Sequence, residues 1–353
     1  MDKIHIYHSS MDISLFDFDL PSDLVAQYPS ERRDESRLMI VDRKSKSIKH
    51  SVFKNLHNEL DSESLVILNN SRVIKCRLFG RRANGARCEV FIHRVLSDKE
   101  GYAFLKPHKR FNAGERIHLE GDCEIEIVSK DEENVENLIK VTSSSTLYEI
   151  MEKAGHIPLP PYIKRADIKG IDDTRYQTIY AEKNGSIAAP TAGLHFTEDT
   201  FKRLKDKGIL YDFITLYVGI GTFAPVRVKN ILQHRMHSEE YEIPQRVAER
   251  INEFKSKGKS IVAVGTTTVR ALESNWSVNG IIVPGVFSTD IFIYPSYNFK
   301  VVDAMITNFH LPKSTLFMLV CAFAGREFML YAYNEAIKNR YRFFSYGDAM
   351  LIK

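Results

Sequence analysis

The sequence of 353 residues lacks most marks of an exported, disulfide-bonded or membrane-spanning protein. Its four cysteines include no Cys-x-x-Cys pair, which argues against both a disulfide framework and a closed zinc site. The amino terminus has no apolar signal-peptide core, and the most apolar later run, "LFMLVCAFAG", has about half the length needed to span a bilayer. We therefore expect a soluble cytoplasmic protein with reduced thiols.

The sequence also lacks the motifs of the common nucleotide-binding loops. Neither G-x-x-x-x-G-K-[ST] nor G-x-G-x-x-G occurs, and there is no internal repeat or low-complexity tract. The charges nearly balance, with 49 Lys and Arg residues against 45 Asp and Glu residues, so the net charge alone does not identify a polyanionic partner. Signs of function must therefore come from local clusters.

The hydrophobic pattern changes near residue 65 and again near residue 145. Between these points, short alternating runs separated by Gly, Asn and Asp clusters are typical of an antiparallel sheet that closes into a small barrel. On both sides of it, helical periods alternate with apolar strand candidates, which is typical of an α/β fold. We predict a larger three-layer α/β domain formed by residues 1–68 and 146–353, with a small β-barrel domain of residues 69–145 inserted into it.

Two loops of the α/β part place small residues directly before a predicted helix. Residues 186–198, "SIAAPTAGLHFTE", bring His195 to the mouth of a helix for which Thr197 is a good N-cap. Residues 262–274, "VAVGTTTVRALES", lead from a strand through Gly265 into a helix. Backbone amides in such loops can approach a ligand closely. The alternative is a tight structural connection with capping threonines and a hydrogen-bonded core histidine.

Three further stretches carry polar or glycine-rich loops. "LYVGIGTFAPVRV" places two glycines after an apolar run, "HRMHSEEYEI" packs two histidines and two glutamates, and "NFHLPKST" precedes an apolar helix for which Ser314 is a possible cap. The histidines and glutamates do not have H-E-x-x-H spacing, so acid–base or binding roles are favoured over a metal site. Several such loops in one α/β domain indicate a shared crevice.

Longer motifs extend from Leu15 to Ile352, nearly the whole chain. They are "FDFDLPSDLVAQYP", "NNSRVIKCRL", "GSIAAPTAGLHFT", "VGIGTFAPV", "HRMHSEEYEI", "VGTTTVRALES", "TDIFIYP", "ITNFHLPKSTLFMLV" and "YGDAMLI". On these motifs the chain resembles the S-adenosylmethionine:tRNA ribosyltransferase-isomerase family of queuosine biosynthesis. Two departures are visible: an amino-terminal extension of roughly ten residues, and Tyr217 where the family has His. The second weakens a catalytic role at position 217, because phenol and imidazole differ by ~3 to 4 pKa units.

The resemblance implies an unusual reaction on tRNA. The ribosyl part of S-adenosylmethionine is transferred to 7-aminomethyl-7-deazaguanine at the wobble position of a GUN anticodon, giving epoxyqueuosine and releasing adenine and methionine. The sulfonium acidifies the neighbouring ribose C5′ hydrogens, so the reaction needs a base and a proton source for adenine. It implies S-adenosylmethionine as co-substrate, with no prosthetic group and no metal, and we expect a monomer that does not bind membranes.

Site residues follow from the resemblance and from residue chemistry. Imidazoles titrate near working pH and carboxylates can orient them or bind a ribose hydroxyl, so the predicted catalytic residues are His195, His237, Glu239, Asp290 and His310. Small or hydroxyl-bearing residues would line the S-adenosylmethionine pocket, and these are Pro190, Thr191, Gly193, Gly219, Gly221, Gly265, Thr266, Thr267 and Asn308.

The predicted tRNA contact is a basic face of the barrel. The chosen residues are Arg72, Lys75, Arg77, Arg81 and Arg82, and the basic stretch continues through residues 106–116. Strand alternation puts Lys75 and Arg77 on one face while Ile74 and Cys76 turn to the core. A solvated barrel face is the alternative. An aromatic such as Phe196 or Tyr217 could stack on the target base.

Two other functions remain open on the sequence alone. One is a non-catalytic tRNA- or RNA-binding protein in which the small-residue loops only pack. The other is a phosphoribosyl-type transferase acting on free nucleotides. Adenine release that depends on the aminomethyl-deazaguanine tRNA would distinguish the predicted enzyme from both.

Overall fold

The computed structural model describes residues 10–107, 111–131, 136–165, 170–223 and 226–353. The strands are β1 (Arg37–Asp42), β2 (Ser47–Val52), β3 (Leu65–Asn69), β4 (Ser71–Val73), β5 (Arg77–Arg82), β6 (Arg87–Val95), β7 (Glu100–Lys106), β8 (Arg116–Leu119), β9 (Cys123–Asp131), β10 (Glu136–Val141), β11 (Lys183–Ser186), β12 (Leu210–Leu216), β13 (Glu239–Ile243), β14 (Ile261–Val264), β15 (Gly285–Thr289), β16 (Ala304–Asn308) and β17 (Ala349–Ile352). The α-helices are α1 (Leu56–Glu59), α2 (Leu147–Ala154), α3 (Asp172–Arg175), α4 (Glu198–Asp206), α5 (Gln245–Ser256), α6 (Thr266–Asn279), α7 (Thr315–Ala324) and α8 (Arg326–Lys338).

A nine-stranded mixed sheet forms the centre of the larger part, in the order β15-β13-β12-β3-β14-β16-β17-β1-β2. Its central strands β12, β3, β14 and β16 pair in parallel. Strand β17 runs antiparallel to β16 and parallel to β1. Every residue of β3, β14 and β16 is buried, as expected for parallel strands covered on both faces.

Alternate residues of the central strands feed two different cores. On β3, Leu65 and Ile67 pack with side chains from α5 to α8, whereas Val66 and Leu68 pack with side chains from α1 and α4. This is the period-2 alternation of a strand between two helical layers. The predicted three-layer α/β architecture is confirmed.

Strands β5 to β10 close a six-stranded barrel in the order β10-β7-β6-β5-β8-β9, and all its pairs are antiparallel. Burial alternates along β6 and β7, so the apolar residues turn inward to a core of their own, which α2 covers with Leu147 and Met151. The predicted antiparallel barrel within an α/β chain is thus confirmed. The domain boundaries at residues 68 and 145 stay predictions.

Helix ends near the predicted loops follow from local sequence. The Thr197 side chain accepts from the Thr200 amide, and the Ser314 side chain accepts from the Phe317 amide, so both predicted N-caps are confirmed. Among the described residues no single helix is long and apolar enough to cross a membrane. Helices α7 and α8 pass that test only together, and the chain bends by 114° between them.

Candidate functional site

A cavity of about 590 Å³ lies at the carboxyl ends of the parallel strands. It opens where β14 gives way to α6 and where β16 gives way to the loop before α7, and in open α/β sheets this edge is where ligands bind. Three of the small or polar loops singled out in the sequence meet here: residues 188–192, 265–267 and 307–316. Val218 and Thr222 extend the lining, so the "VGIGTF" stretch also reaches the cavity.

The structure brings together seven of the residues predicted to bind or react. The cavity lining includes Pro190, Thr191, Gly265, Thr266, Thr267, Asn308 and His310. The remaining predicted residues lie outside that lining, and these are Gly193, His195, Gly219, Gly221, His237, Glu239 and Asp290. The roles of all these residues stay predictions.

The amino terminus of α6 presents polar groups to the cavity. Gly265 has φ +90° and ψ 146°, a conformation that L side chains rarely adopt, and its amide donates to the Ile306 carbonyl over 2.8 Å. Thr266 and Thr267 form the first turn, whose amides have no partner within a helix and carry the positive end of its dipole. This end of the cavity can accept an anionic or hydroxyl-rich ligand.

A chain of hydrogen bonds leads from the cavity into the core. The Thr191 hydroxyl donates to Asn308 Oδ1 over 2.8 Å, and Asn308 Nδ2 donates to His195 Nε2 over 3.2 Å. His195 Nδ1 lies 2.7 Å from the Ser36 hydroxyl, which in turn donates to the Arg33 carbonyl. Because Nε2 accepts, the proton of the neutral ring is on Nδ1. The chain therefore orients the Asn308 amide and, through it, Thr191.

His195 is a buried neutral imidazole behind the cavity wall. It is 4% exposed, and its ring centroid lies 5.1 Å from that of Phe53. Burial, together with the charges of Arg342 and Arg33, lowers the pKa of His195 to about 3. This arrangement matches the structural alternative considered for the loop, a hydrogen-bonded core histidine.

His310 is the predicted catalytic imidazole that lines the cavity. It is 7% exposed, its Nε2 lies 2.9 Å from the Thr307 hydroxyl, and burial lowers the pKa of His310 to about 3. Its backbone amide donates to the Tyr333 hydroxyl over 3.0 Å, which anchors the loop to α8. At neutral pH this ring is an uncharged hydrogen-bonding group beside the ligand space.

Glu239 is buried beneath the "VGIGTF" turn rather than in the cavity. Its Oε1 accepts from the Gly219 amide at 3.3 Å and from the Thr222 hydroxyl at 3.1 Å. Its Oε2 is hydrogen-bonded to Arg270 of α6, which is 4% exposed and also donates to the Ile291 carbonyl. This ion pair connects the turn to the helix whose first residues line the cavity.

The other predicted residues occupy peripheral positions. His237 is exposed, and a Cβ on Gly221 would come within 2.6 Å of its ring, so this glycine permits the ring to lie on the turn. Gly193 packs under the Tyr180 hydroxyl, and Asp290 is exposed just after β15.

Neither proposed stacking aromatic is freely exposed. Phe196 is 0% exposed, so the prediction that it stacks on a splayed base is wrong for this conformation, because its ring packs against Phe53 and Phe201. Tyr217 is half-buried, and burial raises the pKa of its phenol.

The five predicted tRNA-binding residues differ in their charge partners. Lys75 pairs with Glu152 and Asp173, Arg77 pairs with Glu89, and Arg82 forms a two-pronged pair with Glu115. Arg72 and Arg81 donate instead to the carbonyls of Ala181 and Gly85, and neither has a carboxylate oxygen within 4.0 Å among the described residues. The alternation of half-buried Lys75 and Arg77 with buried Ile74 and Cys76 is confirmed. Residues 108–110 of the basic stretch lie outside the described residues.

No group of three or more His, Cys, Asp or Glu side chains that could hold a metal ion is found in the described part of the chain. The paired histidines and glutamates of residues 234–240 thus do not form such a group. Burial and the charge of His237 lower the pKa of His234, whose ring meets the edge of Phe292.

Comparison with known proteins decides the family. A family model described as "Queuosine biosynthesis protein" matches residues 13–352. The chain belongs to this family. It is 47% identical to the S-adenosylmethionine:tRNA ribosyltransferase-isomerase of Sulfurihydrogenibium sp. (strain YO3AOP1) over 97% of this chain and 100% of that protein. It is 49% identical to the protein of the same name from Carboxydothermus hydrogenoformans, again over 97% of this chain and 100% of that protein.

A solved structure of the family has the same fold. The crystal structure of S-adenosylmethionine tRNA ribosyltransferase from Thermotoga maritima matches with a TM-score of 0.56 and 35% identity, over 96% of this chain and 100% of that one. The family resemblance inferred from the motifs is confirmed. The family match begins at residue 13, close to the end of the extension of roughly ten residues noted in the sequence.

Family motifs missed several residues of the site. Tyr162 and Phe344 line the cavity with rings stacked at 4.5 Å, and Tyr162 is hydrogen-bonded to Ser345, which lines the cavity as well. No local pattern marks these residues, because they come from distant loops. Arg270 lies within the motif "VGTTTVRALES" but was not assigned a role, although its position four residues after Thr266 places both on the same face of α6.

Proposed function

We propose that this chain transfers and isomerises the ribosyl group of S-adenosylmethionine onto 7-aminomethyl-7-deazaguanine at the wobble position of tRNA, giving epoxyqueuosine with release of adenine and methionine. The observation that carries this proposal is the meeting of three polar loops at one cavity at the carboxyl ends of the sheet, in a chain 47–49% identical over its length to proteins named for that activity. The non-catalytic alternative does not account for this cavity.

In this proposal S-adenosylmethionine occupies the cavity. Thr191, Asn308 and the first turn of α6 supply hydroxyl, amide and backbone donors for the nucleoside, and the apolar share of the wall covers its carbon surface. A pocket of this mixed character and of about 590 Å³ has the size range of cofactor-sized ligands. Gly193, Gly219 and Gly221 act by letting their loops pack closely.

Acid–base roles follow from position. His310 lines the cavity and is neutral at pH 7, so it can donate or accept a hydrogen bond there; because burial lowers the pKa of His310 to about 3, its ring is a weak base before the substrates bind. His195 orients Asn308, and Glu239 holds the "VGIGTF" turn, so both act through other residues. His237 and Asp290 remain proposed acid–base groups at the rim.

The proposal includes a tRNA contact on basic residues, a monomeric state and a cytoplasmic location. The tRNA carries a GUN anticodon and lies across Arg81 of the barrel and Arg72 of β4, a strand that pairs with β11 outside the barrel. Lys75, Arg77 and Arg82 add weaker contacts, because each is paired with a carboxylate. The protein acts as a monomer in the cytoplasm, where its four buried, unpaired cysteines stay reduced. We propose no metal and no prosthetic group, since proton transfer beside a sulfonium needs only acids and bases.

The test is a direct assay of the reaction. The protein is incubated with S-adenosylmethionine and a tRNA bearing aminomethyl-deazaguanine, and adenine release and nucleoside mass are followed. Adenine release with this tRNA, but not with a tRNA carrying guanine at the wobble position, is expected. Replacement of His310 by Asn is expected to lower kcat by about 100-fold or more, the usual contribution of a positioned acid or base. Binding of tRNA without adenine release would contradict the proposal.

A further inference from the structure

Two arginines, Arg33 and Arg175, line a small hollow that shares Ser345 with the wall of the large cavity, and a third, Arg342, lies outside its lining. The hollow has a volume of about 20 Å³, and its lining also includes Ser30, His195 and Tyr346. Ser345 lines both spaces, and Arg175 is followed directly by Tyr176, which lines the cavity. The hollow thus adjoins the wall of the candidate active site.

The guanidinium groups around this hollow are bound to carbonyl oxygens. Arg33 donates to the carbonyls of Leu194 at 3.1 Å and Thr174 at 2.7 Å. Arg175 donates to those of Glu31 at 3.0 Å and Ser30 at 2.5 Å.

The third arginine approaches from the carboxyl-terminal segment. Arg342 donates to the carbonyl of Tyr28 at 3.3 Å, and its Nε lies 3.9 Å from a carboxylate oxygen of Asp348. Arg342 and Arg175 thus hold neighbouring residues of the segment 28–31, while Arg33 lies at its carboxyl-terminal end.

These arginines keep most of their positive charge. Among the described residues, no carboxylate oxygen lies within 4.0 Å of the Arg33 or Arg175 guanidinium, whereas Lys75, Arg77 and Arg82 of the barrel are all in ion pairs. The nearby Asp172 is neutralised by two hydrogen bonds from Arg165. Carbonyl partners fix a guanidinium in place without cancelling its charge.

The cluster also carries an unmet hydrogen-bonding capacity. Arg175 Nε is buried and has no partner among the described residues. Burial and the neighbouring Arg175 charge lower the pKa of Arg33 to about 10, so the groups are close enough to repel each other while staying charged at pH 7. A bound oxyanion would compensate both features: it would reduce the repulsion between the two positive charges and accept a hydrogen bond from the buried donor.

We propose that Arg33, Arg175 and Arg342 form a binding site for a backbone phosphate of the tRNA, next to the nucleotide that enters the cavity. The hollow holds about one oxygen atom, since a water-sized group needs roughly 10–15 Å³ of such space. One phosphate oxygen would enter it while the others face the arginines. The site rests on the proposed function for the identity of the anion, and it puts tRNA contacts on the α/β part as well as on the barrel.

The test compares charge-removing variants in tRNA binding at several salt concentrations. We choose Arg175→Gln and Arg342→Gln, with Lys44→Gln as the control. Lys44 is exposed, has no ion pair among the described residues, and follows β1, whose carboxyl end lies at the edge of the sheet opposite to the cavity. Each cluster variant is expected to raise the Kd for tRNA by about tenfold and to lower the slope of log K against log salt by about 1. The control is expected to leave Kd and slope unchanged.

The readouts separate this site from other roles. Arg342→Gln removes one long carbonyl bond and a 3.9 Å ion pair with Asp348, whose carboxylate keeps its bonds from the backbone amides of Arg37 and Arg342. The variant is therefore expected to fold, which thermal unfolding checks, and it provides a second measurement if Arg175→Gln is unstable. A weaker Kd with an unchanged salt slope would mean a purely structural arginine and overturn the proposal. A raised KM for S-adenosylmethionine with unchanged tRNA affinity would assign the site to its carboxylate and overturn it too. Adenine release by the wild-type protein tests the function separately.

Discussion

His195 and His310 show how burial changes the chemistry open to an imidazole. Both rings are at least nine-tenths buried, and burial lowers the pKa of each to about 3. A group whose pKa is lower in the folded than in the unfolded state binds fewer protons when folded, so the stability it contributes is present above the unfolded pKa of about 6.5 and is lost as the pH falls toward 3.

We predict that stability falls with pH through these two rings. Between pH 6 and pH 4 each buried neutral histidine should reduce the free energy of unfolding by about 1.4 kcal/mol per pH unit. In His195→Gln the slope should be smaller than in the wild type by that amount. Urea denaturation at half-unit pH steps measures the free energy of unfolding of both proteins. Subtracting the two curves removes the contribution of other titrating groups, such as Asp348, whose pKa is raised by burial. Parallel curves for the two proteins would show that His195 is protonated when folded.

Residue identity alone could not assign these histidines. The sequence marked His195, His237 and His310 equally, because all three follow polar loops. The structure separates them: His310 lines the cavity, His195 is behind Asn308, and His237 is exposed. The surroundings of His195 depend on Ser36 and Asn308, which are 159 and 113 residues away from it in the sequence. His310 is hydrogen-bonded to Thr307, three residues before it.

At the scale of elements, helix α6 connects the cavity to the core. Its first residues line the cavity, and its cap, Gly265, has φ +90°. A Cβ added to Gly265 would lie 3.6 Å from its nearest neighbouring atom, so there is space for it, but any side chain would strain the backbone at this φ. Gly280 ends the same helix at φ +71° with open space around it. Gly280 thus lies in the αL region, whereas Gly265, with ψ 146°, lies in an extended positive-φ region that is open almost only to glycine.

We predict that Gly265→Ala lowers stability more than Gly280→Ala and that the two differ in their effects on binding. Gly280→Ala should lower the free energy of unfolding by about 1–2 kcal/mol, the cost of alanine in the αL region, and Gly265→Ala by about 2–3 kcal/mol. Only Gly265→Ala should raise the KM for S-adenosylmethionine, because it displaces the first turn that lines the cavity. Urea denaturation and steady-state kinetics check this. Equal KM values in the two variants would show that the turn does not contact the co-substrate.

A second prediction concerns the ion pair between Glu239 and Arg270. Glu239→Ala should lower the free energy of unfolding by about 3–5 kcal/mol, because it leaves a buried guanidinium unpaired. Glu239→Gln keeps an acceptor for the Gly219 amide and the Thr222 hydroxyl, so it should cost less and keep most of kcat. Denaturation and turnover of both variants are measured. A kcat loss of 100-fold or more in a stable Glu239→Gln protein would instead make Glu239 an acid–base catalyst.

Elements were more predictable than their contacts. The caps at Thr197 and Ser314 and the alternation of the barrel strands follow from local rules of spacing and hydrogen bonding. Strand β17, near the carboxyl terminus, pairs with β16 and with β1, which lies near the amino terminus. No local sequence pattern predicts this pairing. The cavity wall contributed by Tyr162, Phe344 and Ser345 depends on such long-range pairing, which is why the sequence did not identify it.

For the whole molecule, the distribution of charge decides how a tRNA can lie on the protein. Residues 72–116 contain only four carboxylates, yet two of these, Glu115 and Glu89, pair with Arg82 and Arg77. Such pairs arise because neighbouring strands bring residues 12 and 33 positions apart into contact, which a count of charges along the chain does not register. The field of the barrel is therefore weaker than its composition indicates.

Adjacent Arg81 and Arg82 give the last prediction, since they differ in charge partner but not in strand. In the described part of the chain Arg81 binds only the Gly85 carbonyl, whereas Arg82 makes two bonds to Glu115 at 2.5 and 2.9 Å. Arg81→Gln should reduce the slope of log K against log salt for tRNA by about 1 and leave the unfolding temperature unchanged. Arg82→Gln should leave the slope nearly unchanged and lower the unfolding temperature, because Glu115 loses its partner. If both variants reduce the slope equally, phosphate displaces Glu115 when tRNA binds, and the ion pairs of the barrel are exchanged on binding rather than kept.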